Sequence, residues 1–132
     1  GSAMYIGGVQ DASTRAQDAS ATAGRAFTLT GSKLKVVGTD PSVGITLKSS
    51  SGKETKVAED LWVTNDPSKL TFIIPADLAD GTYELKVTTQ FGSNSKTMLK
   101  VPRSVMKTIY IGKAPDGGGL GPDGGLEEDP LG

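Results

Sequence analysis

The sequence predicts an all-β chain folded as an antiparallel sandwich. Three observations carry the prediction. From Phe27 onward, short apolar runs with a period of two recur at regular spacing, and turn residues separate them. No segment shows the i, i+3, i+4 apolar pattern of a helix of ordinary length. A period of two puts successive side chains on opposite faces, so each strand keeps one face for a core and one for water.

Before Phe27 the signal is weak. Gly1-Ser2-Ala3-Met4 reads as a cloning scar, and the natural protein is expected to extend upstream of Tyr5. Residues 10 to 26, QDASTRAQDASATAGRA, repeat Asp-Ala-Ser seven residues apart. They hold no apolar side chain larger than alanine from which to build a buried stripe. Residues 5–26 are therefore expected to form an irregular approach to the domain, with room for one strand.

Residues 27–112 carry the dense apolar pattern. Phe27 and Leu29 alternate with Thr28 and Thr30; after Gly31, Leu34 and Val36 alternate with Lys33 and Lys35. Ile45 and Leu47 alternate with Thr46 and Lys48, Ser49 to Lys53 has turn chemistry, and Glu54 to Val57 is the returning strand. A short run, Leu61-Trp62-Val63, ends at Asn65-Asp66-Pro67.

The stretch LTFIIPADLADGTYELKVTTQF, residues 70–91, then gives two strands. Leu70, Phe72 and Ile74 share one face of the first; Tyr83, Leu85 and Val87 share one face of the second. Pro75 ends the first because it cannot donate to a ladder. Leu78 is expected to plug the end of the core, and Asp80-Gly81 turns into the second strand. Thr97 to Val101 and Val105 to Ile111 complete the set, with Pro102 breaking them apart. Residues 113–132 contain Pro-Asp-Gly-Gly twice and few large apolar side chains, so they are expected to be a flexible Gly/Pro/acidic tail.

Composition narrows the chemistry. At 132 residues the chain is one domain's worth, with a core of modest size. Net charge is -1, but residues 27–112 hold 11 basic and 8 acidic side chains, whereas residues 113–132 hold 1 and 5. So small a basic surplus does not make a nucleic-acid surface. There is no cysteine, which excludes disulfides and thiolate ligands, and no histidine, the commonest general base and nitrogen ligand. No apolar run reaches the length of a membrane helix, so no membrane contact is expected.

Each residual motif has a plainer reading. Ser50-Ser51-Gly52-Lys53 matches a Ser-x-x-Lys nucleophile pattern but falls where a hairpin turn is needed, and Gly52-Lys53 fails the Walker A pattern at Leu47 and Glu54. Asp116, Asp123, Glu127, Glu128 and Asp129 are oxygen donors without the spacing of a calcium loop. Lys33, Lys35, Lys48, Lys53, Lys56, Lys96 and Lys100 read as the solvent face of a sheet rather than a DNA-binding stripe. No catalytic residue, metal or cofactor is expected.

Two aromatics are candidate interaction residues. If Leu61 and Val63 face inward, strict alternation turns Trp62 outward, where it could stack on a sugar or anchor a partner; the preferred alternative is that it covers the edge of the core. Phe91 lies exposed in a loop or, as preferred, caps the sandwich.

Gly24-Arg25-Ala26-Phe27-Thr28-Leu29-Thr30-Gly31-Ser32-Lys33-Leu34-Lys35-Val36-Val37-Gly38, Gly44-Ile45, Asp66-Pro67-Ser68-Lys69-Leu70, IIPADLADGTYELKVTTQF and Leu99-Lys100-Val101-Pro102-Arg103 together resemble a bacterial domain-of-unknown-function family with an immunoglobulin-like fold. The similarity runs from about Tyr5 to Ile111. The turn glycines, Pro75 and Gly81-Thr82-Tyr83 also resemble, more loosely, the IPT/TIG group. The first resemblance implies an immunoglobulin-like sandwich of about seven strands, placed C-terminal to a histone-like, HU-type DNA-binding domain in a protein without a secretion signal. It brings no catalytic or ligand-binding residue.

The expectation is thus a non-enzymatic accessory or protein-interaction module in the bacterial cytoplasm, nucleoid-associated, touching DNA only through a domain missing from this chain. The alternative is an extracytoplasmic adhesive or carbohydrate-associated module of the cell envelope, with a glycan as partner.

Overall fold

A computed structural model describes residues 3–94 and 96–112 of the chain; the expectations for the tail and its carboxylates lie outside these residues. Among the described residues, nine strands form two sheets. The first has the order β1 (Tyr5–Asp11), β3 (Ala26–Ser32), β7 (Lys69–Ile73), β6 (Trp62–Asp66). The second has the order β2 (Ser20–Ala21), β9 (Met98–Ile111), β8 (Gly81–Phe91), β4 (Gly44–Ser49), β5 (Glu54–Lys56). All pairings are antiparallel except β2 with β9. This is the arrangement of an immunoglobulin-like sandwich.

Alternation predicts the core where strands are regular. Phe27 and Leu29 of β3, Ile45 and Leu47 of β4, Leu70 and Phe72 of β7, and Leu85 and Val87 of β8 are all buried. Phe27 and Phe72 are register partners whose rings meet edge to face, with centroids 6.2 Å apart, the geometry that ring quadrupoles favour. Leu78 packs against the end of this core, as expected.

Four local expectations change. The fold begins at Tyr5 rather than Phe27: residues 5–26 supply two strands, and Val9, Asp11 and Ala21 are buried. A bulge between Ile6 and Gly8 breaks the period of β1, which hides it from a search for alternation. The strand expected at Leu34–Val36 is absent. Both residues are buried, but residues 33–43 form an irregular crossover between the sheets.

Strand β9 is continuous through Pro102, where a break was expected. Proline removes only its own N–H, and among the described residues no strand lies on the side away from β8 there to receive one. Finally, the run at Trp62 changes phase. A bulge between Trp62 and Thr64 turns Val63 outward, 62% exposed, and lets Trp62 pack against the core.

The crossover has no continuous ladder; two main-chain bonds, Leu34 N to Pro67 O and Gln90 N to Val37 O, are supplemented by side chains. Asn65 pairs with the main chain of Val36, its Oδ1 accepting from Val36 N at 2.8 Å and its Nδ2 donating to Val36 O at 2.9 Å. Thr89 Oγ1 donates to Lys35 O at 2.6 Å and accepts from Val37 N at 3.0 Å. Gln90 Oε1 accepts from the amides of Thr39 and Asp40, and its Nε2 donates to Leu99 O at 2.9 Å. Gly38 sits against that Gln90 side chain with φ of +133°, where a Cβ would meet both strain and a clash.

Candidate functional site

The Ser50–Lys53 motif is a turn. Ser49 N donates to Lys53 O at 2.8 Å, Gly52 N donates to Ser49 O at 2.9 Å, and both Ser50 and Lys53 are exposed. Among the described residues there is no cluster of three or more His, Cys, Asp or Glu that could hold a metal, and no helix long and apolar enough to cross a membrane.

The seven singled-out lysines do not form one stripe. On the outer face of the five-stranded sheet, Lys48 stands opposite Glu84 on one side and Glu54 on the other, while Lys56 and Lys86 flank Thr46. One row of this face, Glu54–Lys48–Glu84, alternates in charge, the pairing that stabilises a solvated sheet surface. Lys33 and Lys35 belong to the crossover, and Lys96 and Lys100 lie at and beyond the β8–β9 connection.

Phe91 ends β8 and is buried, 4% exposed, outside the main core cluster. The adjoining loop is tied down by Arg103, whose guanidinium donates to Phe91 O at 3.2 Å and Gly92 O at 2.9 Å. Trp62 lines a cleft of about 670 Å³ between the sheets, floored by Val36, Val37 and Val57 and rimmed by Asp40, Lys56 and Glu59. Its Nε1 is buried and has no hydrogen-bond partner among the described residues. The two candidate aromatics are not brought into one site: Trp62 starts the edge strand of the four-stranded sheet, and Phe91 ends a central strand of the other.

Sequence reasoning missed the main exposed feature, the free edge of β9. Strand β2 covers only Tyr110 and Ile111, so among the described residues nothing pairs with that side of β9 from Met98 to Ile109. Tyr110 N donates to Ala19 O, away from β8. Main-chain groups alternate sides along a strand, so Thr108, Met106 and Ser104 direct theirs to the same open side. Pro102 occupies the next alternate position and has no N–H to offer.

The edge is also apolar. Met98, Val101 and Met106 are 56%, 78% and 55% exposed, and Tyr5 of β1, the strand that approaches β9 from the other sheet, is also exposed. Of the five large apolar residues exposed among the described residues, three lie on β9, while Tyr5 and Val63 lie on β1 and β6 of the other sheet. Isolated exposed side chains need no explanation, but a cluster along an unpaired strand edge marks an interaction surface. The sequence shows these residues without showing which strands lack a neighbour.

Comparison with known proteins places the domain. The profile of a family described as a domain of unknown function (DUF4469) with an Ig-like fold matches residues 5–105. A solved structure, described as a candidate bacterial DNA binding protein from Bacteroides vulgatus ATCC 8482, is 57% identical with a TM-score of 0.80. The match covers 84% of this chain and 48% of that one, so the chain spans about half the length of the neighbour. No curated protein matches.

Proposed function

We propose, from the premise that the chain belongs to the DUF4469 family of domains with an immunoglobulin-like fold, that it is a non-enzymatic interaction module carried by a DNA-binding protein. The observation that supports this reading is the 57% identity to the Bacteroides protein over only 48% of that protein's length. The remainder of such a protein has room for a separate domain that holds the DNA. An HU-type, histone-like domain upstream of Tyr5 is assigned that task, and the sandwich is the arm that holds a protein partner at the nucleoid.

Charge and composition favour the same division. Duplex binding needs Lys and Arg gathered to neutralise several phosphates, whereas the outer sheet face interleaves Lys48 with Glu54 and Glu84. The absence of histidine and cysteine removes the commonest general base and the strongest side-chain nucleophile. The exposed apolar edge of β9 is the feature that suits contact with a protein.

Fluorescence anisotropy with a labelled 30-base-pair duplex tests the assignment. The natural longer protein is expected to bind with strong salt dependence, and this chain alone to bind at least about a hundredfold more weakly. Equal affinity of the two would place the DNA contact in the sandwich and overturn the reading.

A further inference from the structure

The geometry points to an acidic, extended peptide segment as the partner of the β9 edge, added as a strand beside Arg103–Thr108. This rests on the reading of the domain as a protein-interaction module and names the chemistry of what it holds.

Hydrogen bonding sets the mode. Ser104, Met106 and Thr108 face their main-chain groups away from β8, and β2 ends before reaching them. An incoming strand would continue the path of β2 along β9 and satisfy three consecutive outward-facing residues. Pro102 limits the ladder at one end and Tyr110, already paired to Ala19, limits it at the other. Strand addition to an exposed sheet edge derives its affinity from such main-chain bonds and its specificity from alternate side chains. On the outer face, Met106 is exposed beside Lys86, so the incoming strand meets a methionine and an ammonium group.

Charge sets the partner. The cations of β9 are Lys100, Arg103 and Lys107, and the strand contains no acidic residue. Arg103 is turned to the Phe91 and Gly92 carbonyls. Two copies of this chain pairing edge to edge would therefore set the exposed Lys100 and Lys107 of one strand against those of the other. Like charges on paired strands are destabilising, and opposite charges favourable, so a second copy is disfavoured and an acidic strand is favoured. The exposed apolar side chains require that the partner alternate its carboxylates with β-branched or other apolar residues.

The test uses purified chain, isotope-labelled, and two synthetic nine-residue peptides. In one, glutamates are interspersed with alternating valine and threonine; in the other, lysine replaces glutamate. The acidic peptide is expected to shift the amide resonances of Ser104, Met106 and Thr108 and to protect them from hydrogen exchange, with the basic peptide giving neither. Met106→Pro removes an N–H that faces away from β8, so the β8–β9 ladder survives. It should leave the melting temperature nearly unchanged and weaken the acidic peptide by about tenfold or more.

The double variant Lys100→Glu, Lys107→Glu keeps every main-chain donor and provides an independent reading should Met106→Pro disturb the fold. It should weaken the acidic peptide about tenfold and reverse the preference between peptides. The proposal is overturned if the peptide-induced shifts fall at the Trp62 cleft or the 33–43 crossover. It is overturned equally if both peptides bind alike, or if the free chain is a dimer with these three amides already protected. None of these outcomes depends on DNA, so they separate failure of the edge assignment from failure of the DNA-binding context.

Discussion

The side-chain amide of Asn65 takes the place of a strand for Val36, accepting from its N–H at 2.8 Å and donating to its carbonyl at 2.9 Å. Asn65 belongs to one sheet and Val36 to the crossover leading into the other. Val36 is 3% exposed, so without this amide two main-chain groups lose their partner in a place water reaches poorly. Asn65→Ala should therefore cost roughly 2–3 kcal/mol. Asn65→Asp should cost at least as much, because it keeps the acceptor but sets a carboxylate oxygen against the Val36 carbonyl that Nδ2 bonds. Urea unfolding midpoints at constant m-value measure both.

Tyr83 anchors the turn into β8. Its hydroxyl donates to Ala79 O at 2.7 Å, four residues upstream, while its ring lies in the core at 6% exposure. A tyrosine near the start of this strand, bonded back to the preceding corner, is a recurrent device of immunoglobulin-like sandwiches. Tyr83→Phe keeps the ring and loses the bond, so a loss of about 1 kcal/mol is expected. The melting temperature checks it, and no change would mean that the corner is held by packing alone.

Asp11 makes stability sensitive to acid. It is 1% exposed, and its carboxylate accepts from Ser13 N at 2.8 Å, Ser13 Oγ at 2.7 Å and Thr22 Oγ1 at 2.5 Å. Burial works to raise its pKa, but the hydrogen bonds from Thr22, Ser13 and Thr14 together outweigh burial and hold it below the ordinary value. Asp18 and Asp40 are lowered as well, by hydrogen bonds from Ser20 and Ser42 respectively. A carboxylate held below its unfolded value stabilises the fold at neutral pH. That stabilisation is lost as pH falls from about 4, the unfolded value, through the lower folded one. Asp11→Asn should lower stability at pH 7 by about 1–2 kcal/mol and flatten the decline below pH 4, as read from unfolding at stepped pH.

The two aromatics lie on different sheets, and substitutions at them are expected to act on stability. Phe91→Ala removes a ring that is 4% exposed and should cost about 3 kcal/mol. Trp62→Phe retains most of the apolar contact with the core and removes the Nε1 that has no partner among the described residues. It should be close to neutral, because the lost area is offset by relief of an unsatisfied buried donor. Neither substitution should change peptide binding at β9, which amide shifts would reveal.

Strands β3, β4, β7 and β8 were legible in the sequence because one face of each is buried and no bulge interrupts the alternation around Phe27, Leu47, Phe72 and Leu85. The misread elements share one cause: alternation reports burial, not pairing. Leu34 and Val36 alternate because the crossover presses one side into the core, although it has no continuous ladder and Asn65 and Thr89 bond to it instead. Trp62 followed no regular phase because the bulge at Val63 resets it. Pro102 looked like a strand break because only the topology shows that its missing N–H costs nothing at an unpaired edge. The same holds for the candidate site. Met98, Val101 and Met106 are plain apolar residues in the sequence, and they become a surface only when β2 is seen to cover two residues of β9.

Fractionation of native cells tests the central claim most directly. An antibody raised against this chain would be used to follow the natural protein through nucleoid, soluble and envelope pools, with the nucleoid pool then treated with nuclease. The account predicts signal in the nucleoid that nuclease releases. Signal confined to the envelope and open to external protease would contradict it, and would shift the search to surface partners and glycans.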